Sequence, residues 1–145
     1  MKISINNNAP VVQSKEIEIN AKPEKVWEVM SDIDKWSDWN ANIKNPQTLS
    51  KPSVGSKFKW KNNGSSITST IHTIEQNRML GWTGKNFAAD AIHNWYLTPT
   101  ENGTKVRTEE SMQGLLMSIM KKKMNEVLLE DMTSWLDQLK AKCEK

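Results

Sequence analysis

Residues 20–40 read Asn-Ala-Lys-Pro-Glu-Lys-Val-Trp-Glu-Val-Met-Ser-Asp-Ile-Asp-Lys-Trp-Ser-Asp-Trp-Asn, and three of the chain's seven tryptophans, Trp27, Trp36 and Trp39, fall inside them. Pro23 stands where a first helical turn accepts it, because its missing N–H would have no intrahelical partner there. Val26, Trp27, Met30 and Ile33 follow at helical spacing, which predicts a short helix with one apolar face. Asp32 and Asp34 bracket Ile33 and limit that helix. Asp34 is placed to cap a second short helix carrying Trp36 and Trp39.

Working outward, residues 1–12 are expected to be loosely ordered. Gln13 to Asn20 alternates, with Ile17 and Ile19 sharing a face, and reads as a half-buried strand. Residues 41–56 carry Pro46, Pro52 and Gly55, which predicts a loop with a short edge strand near Ile43 to Leu49. Lys57 to Lys61 alternates with Phe58 and Trp60 inward, and Asn62-Asn63-Gly64 is a hairpin signal. Strands follow over 66–74 (Ile67, Ser69 and Ile71 in phase), 79–83 (Leu80 and Trp82), 91–98 (His93, Trp95 and Leu97) and 105–112 (Val106, Thr108, Glu110 and Met112). From Leu115 to about Cys143 the chain has neither Pro nor Gly. Leu116, Met120, Met124, Val127, Leu128, Asp131, Met132, Trp135, Leu139 and Cys143 approximate one face, so one continuous helix is expected. The order predicts an α+β fold: a curved antiparallel sheet of about six to seven strands, two short helices after the first strand, and a long C-terminal helix. A sheet needs a cover for its apolar face, and the last helix is the one element long enough to lie across the concave side.

Composition narrows the function classes. A chain of 145 residues reads as one domain, 1–145, large enough for a real core. The net charge of +3 is weak, and no Lys/Arg stripe interleaves with aromatics, which argues against a nucleic-acid partner. The Lys121-Lys122-Lys123 run reads as a solvated helix face rather than a membrane or nucleic-acid patch. The single cysteine, Cys143, cannot form an internal disulfide. No apolar leader and no bilayer-length apolar run are present, so a cytoplasmic location is expected, with no transmembrane segment. His72, His93 and Cys143 are too scattered for a zinc site, and neither a nucleophile elbow nor a phosphate or dinucleotide loop occurs, so no metal and no cofactor are expected.

The run Ile17-Glu18-Ile19-Asn20-Ala21-Lys22-Pro23-Glu24-Lys25-Val26-Trp27-Glu28-Val29-Met30-Ser31-Asp32, then Trp36 and Trp39, resembles the helix-grip (SRPBCC) superfamily of START and birch-pollen-allergen-like proteins. Val54-Gly55-Ser56-Lys57-Phe58-Lys59-Trp60, Met79-Leu80-Gly81-Trp82, Trp95-Tyr96-Leu97-Thr98-Pro99 and Gly103-Thr104-Lys105-Val106 extend the likeness over nearly the whole chain. It is most similar to the small bacterial polyketide cyclase/dehydrase and lipid-transport members. The resemblance implies a cavity between sheet and last helix for apolar or amphipathic small molecules, and it carries over no catalytic motif.

On that footing the inward phases nominate pocket residues. Phe58, Trp60, Ser69, Ile71, Trp82, His93, Trp95, Glu110 and Met112 come from the sheet, and Leu116, Met120 and Met124 from the helix. Met30 and Trp39 are expected near the mouth. Tryptophan rings offer flat, rigid contact, and methionines adapt to varied ligands. His93 and Glu110 share the inward phase on consecutive strands, where neighbours meet across the ladder, and are the candidate acid–base pair. His72 has the opposite parity and is expected to be exposed. Three readings stand open: a binding protein for a small hydrophobic ligand, monomer or homodimer; a cyclase or dehydratase working through His93 and Glu110; and a protein–protein module with a filled interior.

Overall fold

The computed structural model describes residues 2–145, in which the alternating stretches form one sheet of seven antiparallel strands. These are β1 (Val11–Ile19), β2 (Ile43–Thr48), β3 (Lys57–Asn62), β4 (Ser65–Glu75), β5 (Met79–Lys85), β6 (Asp90–Pro99) and β7 (Thr104–Gln113). Their order in the sheet is β1-β7-β6-β5-β4-β3-β2. The β3–β4 hairpin turns at Asn63 and Gly64, with φ of 50° and 87°. Two successive left-handed residues give the turn whose twist matches that of paired strands, and Asn-Gly is the pair that adopts it most readily.

Because β1 pairs with β7 while β2 lies at the far edge, residues 20–42 must span one end of the sheet. They do so as helix α1 (Pro23–Ser31) and a 3₁₀ turn (Ile33–Asp38). Trp36 Nε1 donates to the Met30 carbonyl at 2.9 Å, which fixes the turn against α1. Asp34 does not cap the turn. Its carboxylate accepts from the Thr48 backbone N–H at 2.7 Å and from Thr48 Oγ1 at 3.0 Å, tying the plug to edge strand β2.

The expected single C-terminal helix is two: α2 (Leu115–Ile119) and α3 (Lys121–Cys143), broken at Met120 where φ is −105° and ψ is 32°. Neither Pro nor Gly causes the break. Met117 drops into a small apolar cluster with Val11, Leu128 and Met132, while α3 buries Trp135, Leu136, Leu139 and Cys143 in the main core. α3 alone reaches both clusters, through Leu128 and Met132 and through Trp135 to Cys143, and the break lets α2 set Met117 on the first of them. No helix of the described residues is long and apolar enough to cross a membrane.

Residues 2–10 make hydrogen bonds to the sheet that their composition does not announce. They form no strand or helix, yet they are pinned to the face of the sheet opposite α3. Ile3 N–H donates to His72 Nδ1 at 3.1 Å, Asn94 Nδ2 donates to the Ile3 carbonyl at 2.9 Å, and Asn6 N–H donates to Ser111 Oγ at 3.0 Å. His72 is therefore buried, not exposed, and Nε2 completes its contacts with Asn94 Oδ1 at 2.8 Å. Its parity was right. What strand periodicity does not carry is that the chain's own start covers this face.

Gly81 makes room for that clasp: a Cβ there would lie 2.5 Å from His72 Cε1 and 2.6 Å from Asn94 Oδ1. Gly81→Ala is expected to destabilise the fold by about 2 kcal/mol through overpacking. Amide exchange at Ile3 and Asn6 should quicken with it. A wild-type urea midpoint with unchanged exchange would show that the clasp has slack.

Candidate functional site

Strand parity sends every second residue of β3 to β7 toward the helix, and the plug then divides that concave face in two. At the plug end the side chains close on one another. Trp36 lies 5.5, 5.4, 5.3 and 5.4 Å, centroid to centroid, from Phe58, Trp60, Trp82 and Trp135. Trp95 adds a ring 5.1 Å from Trp135. Beyond these rings, toward the β5–β6 loop and α2, the face stays open as a cavity of about 290 Å³. Trp60, Ile67, Trp82, Ala91, His93, Glu110 and Met112 form its sheet wall. Met124, Val127, Leu128, Asp131 and Trp135 form its helix wall, and Leu116, Met117 and residues 86–89 stand at its mouth. Ligand pockets run from roughly 300 to 1,000 Å³, so this one suits a compact guest of one or two rings.

Of the nominated residues, the cavity brings together Trp60, Trp82, His93, Glu110, Met112, Leu116 and Met124. Phe58, Ile71, Trp95 and Met30 are sealed in the core and do not border it. Ser69 is engaged by the indole of Trp60, which donates to its hydroxyl at 3.0 Å and is held in orientation by it. Trp39 packs against the plug, away from the opening, and Met120 sits at the helix break on the surface. Inward parity was therefore correct for the strand residues, but parity says nothing about depth along a strand, and depth decides between core and cavity.

Sequence reasoning did not nominate Asn62, Asp131, Trp135 or the 86–89 loop. One signal was available: Asp131 is an acid on the apolar face of the last helix. Its carboxylate accepts from Asn62 Nδ2 at 3.0 Å and from Asn63 Nδ2 at 3.2 Å, so the hairpin turn supplies its partners.

The polar centre of the wall is His93 and Glu110, directly opposite each other on β6 and β7. His93 Nδ1 lies 3.1 Å from Glu110 Oε1, and Nε2 lies 2.8 Å from Thr108 Oγ1. Burial holds His93 down to about 3. Burial pushes Glu110 up to about 8, and the neighbouring Asp131 charge adds to that rise. Asp131 itself is raised by burial, with the Asn62 and Asn63 amides opposing the shift. At neutral pH the pair is an uncharged imidazole beside a protonated carboxyl. The Glu110 O–H then donates to Nδ1, and Nε2–H donates to Thr108. Both imidazole nitrogens are spent internally, whereas the second Glu110 oxygen takes no hydrogen bond from the described residues. Trp135 Nε1 and Asn62 Oδ1, on the same walls, are also buried without protein partners. Buried polar atoms of this kind are normally paired, so a guest with one acceptor and two donors would complete the set. No group of three or more potential metal ligands converges among the described residues.

A family model described as polyketide cyclase / dehydrase and lipid transport matches residues 11–144. No curated protein matches the chain. Among solved structures, a hypothetical protein from Helicobacter pylori is 19% identical, covers 99% of this chain and 98% of its own, and superposes with a TM-score of 0.85. The Zhui aromatase/cyclase from Streptomyces sp. R1128 is 12% identical over 92% of this chain and 93% of its own, with a TM-score of 0.79. A START superfamily protein from Mycobacterium smegmatis is 15% identical over 88% and 98%, with a TM-score of 0.67. At these identities the likeness is one of fold.

Proposed function

This chain belongs to the polyketide cyclase / dehydrase and lipid transport family, and from that premise we propose that it binds a small, uncharged, ring-containing molecule in the cavity beneath its last helix. The observation that carries this reading is the cavity of about 290 Å³, walled by Trp60, Trp82, Trp135 and methionines, with His93 and Glu110 set in its sheet wall and Asp131 in its helix wall. Apolar burial supplies the affinity, at roughly 25 cal/mol per Å² removed from water. Glu110, Trp135 Nε1 and Asn62 Oδ1 orient the guest's polar atoms. Cys143 is a buried free thiol, which fits a reducing, cytoplasmic setting.

A cyclase or dehydratase reading draws support from one feature. A carboxyl whose pKa lies near the operating pH, with one oxygen open to the cavity, suits a general acid. In that reading the Glu110 proton moves from its hydrogen bond with His93 to the oxygen that faces the cavity and is delivered from there, with His93 the positioning residue behind it. An interaction module with a dry, filled interior fits less well, because the interior is open.

Native mass spectrometry of protein purified from its own cells tests the binding reading, with Ala91→Phe as the partner experiment. Ala91 borders the cavity, and a phenyl ring there would occupy it. The wild type is expected to carry a small-molecule adduct, and the variant to lose it while keeping its thermal midpoint within a few degrees, about the shift of 1 kcal/mol. An adduct retained undiminished by Ala91→Phe would place the ligand elsewhere and overturn the reading.

A further inference from the structure

A second feature lies on the surface, around the mouth rather than within it. Phe87, between β5 and β6, is 92% exposed, and Leu115 and Ile119 on α2 are 79% and 71% exposed. Single exposed apolar residues need no explanation, but three of this size on adjoining segments form a patch. The segments do adjoin. A Cβ on Gly114 would lie 2.7 Å from the Ala88 carbonyl, and Met117 packs in one cluster with Ala88 and Ala89. Lys121, Lys122 and Lys123 follow α2 directly, and Lys85 precedes the loop, all exposed. The exposed acids closest in sequence are Asp90 and Glu126, so positive charge prevails beside the apolar tip.

We propose that this rim docks on an anionic lipid bilayer, with Phe87, Leu115 and Ile119 entering the headgroup layer and the exposed Lys121, Lys122 and Lys123 supplying positive charge beside it. The combination of bulky apolar tips and a basic flank is what interfacial binding requires. It also weighs against a second copy of the chain as occupant. A two-fold contact through this patch would bring each lysine run toward its own copy, and like charges facing one another disfavour that pairing. The isolated Lys run reads as a solvated face; the exposed apolar residues beside it give it a partner.

Vesicle flotation tests the proposal without reference to any cavity ligand. The wild type is expected to float with vesicles of phosphatidylcholine mixed with phosphatidylglycerol, to stay behind with phosphatidylcholine alone, and to be released at high salt. Lys121→Gln/Lys122→Gln/Lys123→Gln is expected to lower partitioning roughly 100-fold. Phe87→Ser/Leu115→Ser/Ile119→Ser should lower it about tenfold or more. These side chains are exposed, so the variants keep the core. Absence of wild-type flotation on the mixed vesicles, or a triple serine variant that floats like the wild type, overturns the proposal. So does sedimentation showing a lipid-free dimer that the serine variant dissolves, since a second copy would then cover the patch.

Discussion

Trp36→Ala is expected to lower the free energy of unfolding by about 4 kcal/mol, the upper range for truncating a buried aromatic. Trp36 is fully enclosed and touches four other rings, one from each of β3's two aromatic positions, one from β5 and one from α3. Its indole N–H also holds the 3₁₀ turn to α1 through the Met30 carbonyl. Deletion removes an edge-to-face partner from Phe58, Trp60 and Trp135 together and leaves a void that rigid rings cannot fill by small shifts. The cost is therefore the lost transfer energy plus the cavity. Urea denaturation gives the number, and near-ultraviolet circular dichroism should lose much of its aromatic signal. Trp39→Ala is the control, because Trp39 lies at the margin of the same core with its indole N–H unpaired. It is expected to cost about half as much or less. A loss below about 1 kcal/mol for Trp36→Ala would show that the ring array can repack, contrary to the stiffness argued from close-packed interiors.

That central position of Trp36 marks the boundary of what the sequence makes legible. Strand phases, the Asn-Gly hairpin and the Pro23 helix start are local signals, and the structure keeps each within a residue or two. The same periodicity placed Trp60, Trp82, His93 and Glu110 on one face, where they are. It could not tell that Trp36, from a different part of the chain, fills the space beside Phe58 and Ile71 and so converts half the expected pocket into core. Nor could it see the Met120 break, which no Pro or Gly marks. His72 shows the same limit from the other side. Its partners Ile3 and Asn94 stand 69 and 22 residues away, and no window of the sequence contains both. Asp131 was visible as an acid among apolar helix positions, but its meaning depended on the Asn62 and Asn63 amides arriving from the hairpin.

The pH dependence of stability should show the His93–Glu110 pair directly, and its expected effect is the largest predicted here. Consider Glu110 first. Folded, its carboxyl is pushed up to about 8 from an ordinary 4.5. Between those values the unfolded chain releases a proton that the folded protein keeps, so stability falls as pH rises through this window and is level above it. The slope is about 1.4 kcal/mol per pH unit, for a total of at most about 5 kcal/mol. His93 acts with the opposite sign. Folded, it titrates at about 3 against 6.5, so below 6.5 the unfolded chain takes up a proton that the folded protein refuses, and stability falls as pH drops. The two slopes oppose each other between 4.5 and 6.5, which predicts a shoulder there and a decline from 6.5 to 8. Buried His72, also lowered, deepens the acid limb, and Asp131, raised, lends a falling contribution that starts at lower pH. His72, lowered, has no part in the alkaline limb. Glu110→Gln isolates it: the amide still reaches His93 Nδ1 as a donor and has nothing to titrate. The variant is expected to match or exceed the wild type at pH 8 and to show no decline between 6.5 and 8, with urea midpoints measured every half unit to pH 9. Cys143, raised by burial from an ordinary 9 to about 11, adds a decline of its own only as the unfolded thiol ionises toward pH 9, above the 6.5–8 window. If Glu110→Gln keeps the alkaline decline, the carboxyl is already ionised at neutral pH. The cavity wall would then present a negative charge, and a cationic guest would replace the neutral one proposed above.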